Sequence, residues 1–239
     1  MLENEAVPSV IIYTEHETRE NIIVLEESTN HQFRFGMPGT ELKETEWKKI
    51  LQVMEETKDA RFIVASGSLP PGVPEDIFAR VGAIAKKKNA KFIADTSGDA
   101  LKYAVNEGVF LLKPNLGELS SLVNKDYLQP DEISSAARQI VETGNCEVVV
   151  VSMGKEGAML VTKDIAKQIR SPEVEKKSTV GAGDSMVAGI VLSLARNKNL
   201  VEAVQYGIAC GTAATMNEGT GLCKLKDVIK LSEIIQKIP

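Results

Sequence analysis

Short apolar runs separated by polar turns open the chain. Three runs are rich in Val, Ile, Phe, Tyr or Leu and end at clusters of charged, Ser, Thr or Asn residues, and they predict strands over 9–14, 21–25 and 32–35. Strands of this length with such short connections are typical of a small antiparallel meander.

After residue 36 the spacing of apolar residues becomes helical. Four of them lie at i, i+3, i+4 and i+7 within the charged stretch 44–58: Trp47, Ile50, Leu51 and Met54. This spacing predicts an amphipathic helix with one face on the core, and we expect Trp47 to be buried.

Strands and helices then alternate. The predicted strands are 61–65, 91–95, 109–112, 147–151, 158–161 and 166–169, and the predicted helices are 74–88, 98–106, 115–124, 131–143, 183–197, 200–217 and 225–238. Strand–helix–strand repeats need right-handed crossovers, so the pattern predicts an α/β fold with a mostly parallel sheet covered on both faces. The helix over 183–197 is apolar nearly throughout, and we expect it to be buried on most sides.

Composition limits the class of protein. The 239 residues are 43% hydrophobic and 26% charged, as in an ordinary globular domain, and no apolar run approaches the ~20 residues that span a bilayer. The balance of 28 basic and 33 acidic residues gives a net charge of −5, the opposite of a nucleic-acid-binding surface. Three cysteines, Cys146, Cys210 and Cys223, are too few for a disulfide framework or a zinc cluster. We therefore expect a cytoplasmic protein that binds neither nucleic acid nor membrane.

Ligands of open parallel sheets bind beyond the carboxyl ends of the strands, so the chemistry is expected in the segments that follow them. The segment 66–72 is rich in Gly and Ser and fits either an anion-binding turn or a plain structural turn. In the segment 113–118, a proline starts a helix with Asn115 and Glu118 at i and i+3, which suits a hydrated Mg²⁺ or simply a helix start with an acid. The glycine turn 152–157 lets phosphates approach the main chain but lacks the Walker spacing.

The strongest segment is 178–185, Ser-Thr-Val-Gly-Ala-Gly-Asp-Ser, which leads into the apolar helix. The loop Gly181-Ala182-Gly183 before a helix start offers free N–H groups as an anion hole for a phosphoryl group. Asp184 is placed to act as a general base toward a substrate hydroxyl; alternatively, it only complements the helix dipole. A dinucleotide site would need a third glycine at Met186 and a strand immediately before the loop, and the sequence supplies neither.

Together, the segments 66–72, 113–118 and 178–184 resemble those of the ribokinase-like sugar kinases of the phosphofructokinase-B group. The similarity runs from Val10 to the C-terminus, and within the group it is greatest to the B-type 6-phosphofructokinases, with 1-phosphofructokinases and tagatose-6-phosphate kinases as near relatives. The resemblance implies a three-layer fold, with a β lid over 9–36 and an α/β core over 37–239. It also implies ATP-dependent phosphorylation of a hexose phosphate, with fructose 6-phosphate as the expected acceptor, and a homodimer.

The same resemblance implies a role for each matching residue. Asp184 is the catalytic base, Gly181, Ala182 and Gly183 form the anion hole, Asn115 and Glu118 organise Mg²⁺, and Arg19 and Ser68 bind the sugar phosphate. The residues expected to hold ATP are Lys113, Asn115, Ser152, Gly154, Gly157, Thr179, Thr212 and Asn217. The residues expected to form a K⁺ loop are Ser178, Val180, Ala214, Asn217, Gly219 and Gly221.

The chain departs from the family pattern at its beginning, and this difference leaves alternative functions open. Members carry a first strand and a Gly-Gly-Asn-type sugar-binding motif ahead of the lid, and nothing before Val10 corresponds to them. We therefore expect an N-terminally shortened chain with the ATP and Mg²⁺ residues complete. The alternative to a sugar kinase is a catalytically silent nucleotide-binding protein, and the third hypothesis is a dinucleotide oxidoreductase.

Overall fold

The computed structural model describes residues 2, 5–26, 28, 29 and 31–238, and these residues form eight strands and eight α-helices. The strands are β1 (Asn21–Glu26), β2 (His31–Gly36), β3 (Phe62–Ser66), β4 (Lys91–Asp95), β5 (Val109–Leu112), β6 (Cys146–Ser152), β7 (Ala158–Val161) and β8 (Ala166–Ile169). The helices are α1 (Glu44–Glu56), α2 (Ile77–Lys87), α3 (Gly98–Glu107), α4 (Leu116–Leu122), α5 (Ile133–Glu142), α6 (Ala182–Ala195), α7 (Leu200–Thr215) and α8 (Leu225–Ile235). Within this part of the chain, no helix is both long and apolar enough to cross a membrane.

The central sheet has the order β3-β4-β5-β6-β7-β8. The first four strands are parallel, and β7 and β8 add to β6 as antiparallel strands. This arrangement confirms the predicted α/β class and mostly parallel sheet. The core elements from α1 to α8 begin and end within three residues of their predicted limits.

Helices cover both faces of this sheet. Along β6, Val149 and Val151 point to the side of α1 to α5, while Val148 and Val150 point to the side of α6 to α8. Alternation of this kind is required of a strand buried on both faces, and it explains the uninterrupted valine run. Because the strand order advances in one direction, right-handed crossovers place α2 to α5 on the same face.

A second, two-stranded antiparallel sheet, β1 and β2, lies within the predicted lid segment. The expected strand over 9–14 is wrong, because in the part of the chain that the structure describes no strand pairs with these residues. The side chains of Ile11, Ile12 and Tyr13 instead line a groove on α1, and the N–H group of Glu15 donates to Glu46 Oε1 of α1 at 2.7 Å. The boundary between a lid over 9–36 and a core over 37–239 stays a prediction.

The amphipathic helix α1 forms as predicted, with one exception. Trp47 is 5% exposed and belongs to the core, and Leu51 and Met54 pack against it. Ile50 is 43% exposed, because the contact face of α1 is narrower than the apolar stripe of its sequence.

The two helices on the other face pack with their backbones in close approach. Gly207 of α7 faces α6 so closely that an added Cβ would lie 2.5 Å from Ile190 Cγ1 and 2.8 Å from the carbonyl oxygen of Met186. The backbone oxygen is not free to move aside, so only glycine permits this helix–helix distance.

We expect Gly207→Ala to destabilise the chain. Alanine in a helix ordinarily gains about 0.4–1 kcal/mol over glycine, but overpacking a core costs about 1–3 kcal/mol, so the net effect is a loss. Chemical denaturation measures this difference, and Gln205→Ala, on the same helix but away from the close contact, is the control. A Gly207→Ala chain as stable as the native one would contradict the close packing of α6 and α7.

Candidate functional site

The carboxyl ends of the first four core strands meet at one edge of the sheet. Ser66 at the end of β3 is in register with Asp95 at the end of β4, and Ala94 is in register with Leu112, the residue before Lys113. The N–H group of Ser152, at the end of β6, donates to the carbonyl of Pro114 at 2.9 Å. Three of the predicted segments, 66–72, 113–118 and 152–157, are therefore neighbours.

The fourth segment reaches the same edge through the start of α6. Gly181 is the N-cap residue and has a left-handed backbone, with φ of 70°. The N–H groups of the first turn of a helix have no partner within the helix, so this loop presents donors toward an anion. Asp184 lies in the first turn, and its Oδ1 accepts a hydrogen bond from the Ser66 hydroxyl at 3.1 Å. The structure thus brings the predicted base to the end of β3.

A buried ion pair lies behind the glycine loop. Lys113 Nζ is 3.1 Å from Asp95 Oδ1, and the two side chains are 6% and 15% exposed. A Cβ built on Gly183 would lie 3.6 Å from Lys113 Nζ, so the ammonium sits directly against the predicted anion hole. Burial raises the pKa of Asp95, although the ammonium of Lys113 partly offsets this effect.

Asn115 and Glu118 fold into a capping box at the start of α4. Asn115 Oδ1 accepts from the N–H group of Glu118 at 2.9 Å, and Glu118 Oε2 accepts from the N–H group of Asn115 at 2.8 Å. Burial raises the pKa of Glu118 despite this hydrogen bond and the nearby ammonium of Lys113. A half-buried carboxylate beside an amide fits a Mg²⁺ ion that keeps most of its waters. The described residues contain no group of three or more His, Cys, Asp or Glu side chains able to hold a metal.

Residues expected to hold ATP lie at the end of β6 and at the end of α7. Ser152 ends β6, and Gly154 begins a 3-10 turn over Gly154–Glu156. Gly157 is buried, and an added Cβ would lie 2.0 Å from the carbonyl oxygen of Ile169. This close contact requires glycine whether or not a nucleotide binds, so the role of Gly157 toward ATP stays a prediction.

Thr212 and Asn217 lie at the end of α7 and just beyond it. The hydroxyl of Thr212 is 2.8 Å from that of Ser171, and the amide of Asn217 donates to the carbonyl of Ala213 at 2.9 Å. The contact between Thr212 and Ser171 joins the end of α7 to the loop that follows β8. The part of Thr212 and Asn217 in nucleotide binding stays a prediction.

The residues predicted for a K⁺ site come from two adjacent loops. The hydroxyl of Ser178 donates to the carbonyl of Gly219 at 2.7 Å and accepts from the N–H group of Val180 at 3.2 Å. Ala214 is buried at the end of α7, and Gly221 closes the turn after Gly219 by donating to the carbonyl of Glu218. The fold therefore gathers the predicted loops.

The predicted sugar-phosphate residues also come together. Arg19 Nη2 donates to the hydroxyl of Ser68 at 3.1 Å, although 49 residues separate them in the sequence. From the two-stranded sheet, Gln32 reaches the glycine loop, where its Oε1 accepts from the hydroxyl of Thr179 at 3.1 Å. The segment before α1 thus contacts two sides of the site.

Three residues of the site were not predicted individually. Ser66 and Asp95 are the last residues of their strands, a position that marks functional residues in parallel sheets, so the sequence held a usable signal for both. Gln32 carries no such signal, because its contact depends on how the two-stranded sheet lies against the core.

Comparison with known proteins identifies relatives over nearly the whole chain. The pfkB family carbohydrate kinase profile matches residues 1–227. The ATP-dependent 6-phosphofructokinase isozyme 2 of Escherichia coli is 42% identical over 232 residues, which are 97% of this chain and 75% of the relative. A 1-phosphofructokinase and a tagatose-6-phosphate kinase match at 29% and 30% identity.

Comparison with solved structures agrees with the sequence comparison. The crystal structure of phosphofructokinase-2 from Escherichia coli in complex with potassium has a TM-score of 0.92 and 41% identity, and covers 99% of this chain and 77% of that one. The structure of the tetrameric inhibited form of the same enzyme has a TM-score of 0.90 and 40% identity, with 99% and 76% covered. The predicted ribokinase-like architecture is confirmed.

Glu118→Gln is expected to stabilise the unliganded chain at neutral pH. Glutamine keeps an acceptor for the N–H group of Asn115 but removes a charge whose burial is unfavourable. Since the folded state raises the pKa of Glu118, it binds the proton more tightly than the unfolded chain does. The native chain therefore gains stability relative to the variant as the pH falls, and the difference between them shrinks.

Thermal unfolding in a chelator, between pH 7.5 and pH 4.5, measures this effect. Glu202→Gln is the control, because Glu202 occupies the same capping-box position at the start of α7 and its side chain is 41% exposed. A Glu118→Gln chain less stable than the native one at neutral pH would contradict the unfavourable burial of this carboxylate.

Proposed function

The chain belongs to the pfkB family of carbohydrate kinases, and on this basis we propose that it transfers the γ-phosphoryl group of ATP to fructose 6-phosphate. One observation carries the proposal: Asp184, the glycine loop before α6 and the ammonium of Lys113 converge at one edge of the sheet. They supply a base, backbone donors and a positive charge, the three groups that in-line phosphoryl transfer needs.

Asp184 acts as the base in this proposal. The Ser66 hydroxyl engages Oδ1, which orients the carboxylate and leaves Oδ2 for the substrate hydroxyl. As the sugar oxygen attacks the γ-phosphorus, its proton passes to Asp184, a new O–P bond forms, and the bond from the γ-phosphorus to the bridging oxygen breaks. ADP carries away the electron pair of the broken bond.

Backbone N–H groups and a cation stabilise the negative charge of the transferred phosphoryl group. The first N–H groups of α6 donate to its oxygens, and the ammonium of Lys113, behind Gly183, adds a full positive charge. Asn115 and Glu118 are the residues proposed to hold Mg²⁺, which neutralises phosphate charge when bound. The loops that contain Ser178 and Gly219 are proposed to hold K⁺.

Arg19 and Ser68 are proposed to bind the phosphate of the acceptor. Their hydrogen bond already orients the guanidinium, whose forked donors suit a phosphate. The contact of Gln32 with Thr179 supports a lid role for β1 and β2, because it joins this sheet to the loop that meets the γ-phosphate.

The outer face of the lid sheet supports a homodimer. Ile22 pairs with Phe35 and Val24 with Phe33 across the two strands, so the four side chains share one face. Their exposed fractions lie between 46% and 54%. A contiguous apolar face of this kind marks a protein interface, and we propose that a second copy of the chain covers it. The cytoplasmic location expected from the sequence stays a prediction.

ADP release with Mg²⁺, ATP and fructose 6-phosphate, fructose 1-phosphate or tagatose 6-phosphate in parallel tests the reaction and the acceptor. We expect turnover on fructose 6-phosphate, and we expect Asp184→Asn to lower kcat by about 10²–10⁴-fold with ATP binding retained, because only the proton acceptor is lost. Asp227→Asn, which removes an acid from the first turn of α8, is the control for a mere helix-dipole effect.

The other outcomes separate the alternatives. Turnover on fructose 1-phosphate or tagatose 6-phosphate instead would change the acceptor and keep the reaction. If the folded chain binds ATP but releases no ADP with any of the three sugars, it is the catalytically silent nucleotide-binding protein. Equal kcat values for the Asp184→Asn variant and the native chain would contradict the assignment of Asp184 as the base.

Val24→Lys is expected to convert the dimer to a monomer, since a lysine on each copy places unpaired charges in the apolar interface. Light scattering coupled to gel filtration measures the mass. Ile229→Lys, at an exposed apolar residue of α8, is the control and should leave the mass unchanged. A native chain that is monomeric at high concentration would contradict the interface.

A further inference from the structure

Asp95 is the charged residue of the site to which no role has yet been given. We propose that Asp95 is a positioning residue whose carboxylate holds the ammonium of Lys113 against the Gly181–Gly183 loop, ready for the transferred phosphoryl group. The inference rests on the proposed function, because it assigns the ammonium a task in phosphoryl transfer.

The geometry places the ammonium between the acid and the loop. Lys113 Nζ lies 3.1 Å from Asp95 Oδ1, and the two side chains are nearly buried. A Cβ built on Gly183 would lie 3.6 Å from Lys113 Nζ and 3.9 Å from Asp95 Oδ2, so both charged groups border the same glycine. Any larger residue at position 183 would meet the ion pair.

Hydrogen bonds fix the backbone that carries the carboxylate. The backbone of Asp95 is in the parallel ladder, its carbonyl accepts from the N–H group of Gly67 at 2.9 Å, and the next residue, Thr96, donates its hydroxyl to the carbonyl of Gly67 at 2.8 Å. The lysine side chain has four rotatable carbons and a compact charge that adapts to its partner. Asp95 is therefore the fixed member of the pair, and it sets where the ammonium lies.

Two other carboxylates surround the pair but differ from Asp95 in their contacts. Asp184 is exposed and accepts a hydrogen bond from the Ser66 hydroxyl, and Glu118 accepts one from the N–H group of Asn115. Asp95 has the ammonium as its partner at ion-pair distance. A buried ammonium requires such a counter-charge, since an unpaired charge in a low-dielectric place is costly. The acid thus pairs with the ammonium and orients it before a phosphate arrives, which is electrostatic preorganisation.

A double-mutant cycle tests the coupling. The variants are Asp95→Asn, Lys113→Met and the two combined, and the measurements are kcat, both KM values, the Kd for ATP without sugar, and the unfolding temperature. Asp95→Asn should lower kcat about 10–100-fold and weaken ATP binding about tenfold, as expected when a charged donor to phosphate is misplaced. The KM for fructose 6-phosphate should stay within about twofold, since Arg19 and Ser68 are untouched, and on the Lys113→Met background Asp95→Asn should add nothing.

The surface pair Asp99 and Lys102 provides the matched control. Lys102 Nζ is 2.9 Å from Asp99 Oδ1, but the side chains of Lys102 and Asp99 are 46% and 56% exposed, so Asp99→Asn and Lys102→Met should leave every measurement unchanged. Asp95→Glu keeps the charge and moves it by one methylene group. If Asp95→Asn does not fold, this variant replaces it, with a lower kcat expected at an unfolding temperature close to that of the native chain.

Three outcomes would overturn the inference. If the loss of kcat or of ATP affinity in the double variant equals the product of the losses in the two single variants, Asp95 acts independently of Lys113. An unchanged kcat and an unchanged Kd for ATP, with only the unfolding temperature lowered, would mean a structural role. A native chain that does not bind ATP would leave the ammonium without a phosphate. If the native chain binds ATP but phosphorylates no sugar, the proposed reaction fails, while the Kd cycle still decides the coupling.

Discussion

The charge of Lys113, buried at the carboxyl edge of the sheet, is the constraint on which the site depends. An isolated ammonium in such a place costs several kcal/mol, so the surrounding elements must supply a counter-charge and exclude alternatives. Strand β4 supplies it through Asp95, and the start of α6 approaches so closely that a Cβ at position 183 would be in van der Waals contact with the ion pair. The parallel register of β4 and β5 makes this pairing possible, because it brings the ends of both strands to the same level.

The position of α6 follows from contacts at both of its ends. At its start, Asp184 accepts from Ser66 at the end of β3, and at its end the carbonyl of Ala195 accepts from the guanidinium of Arg61, just before β3. Helix α6 therefore lies antiparallel to β3, and its tight packing on α7 through Gly207 fixes its depth. The function proposed for the glycine loop thus depends on a helix that long-range contacts hold in place.

Sequence patterns identified most of the site because its residues follow strands. Lys113, Asn115 and Glu118 come after β5, Ser152 ends β6, and Asp184 follows the glycine loop, and the fold brings all of them to one edge. Asp95 was missed although its place at the end of β4 is a usable signal, because its partner Lys113 is 18 residues away, just after the next strand. Gln32 was missed because its contact with Thr179 spans 147 residues and depends on the lid packing.

The sequence by itself determined the alternation of strands and helices, the two-faced burial of the valine strand and the order of the segments proposed to bind phosphate, since periodicity and turn residues act locally. Tertiary structure decided whether an extended run becomes a strand: residues 9–14 have strand composition but lie on α1, because a strand forms only where a neighbour offers its hydrogen-bonding edge. It also decided which acid meets the ammonium of Lys113, because desolvation and distance are properties of the packed chain and not of the residue.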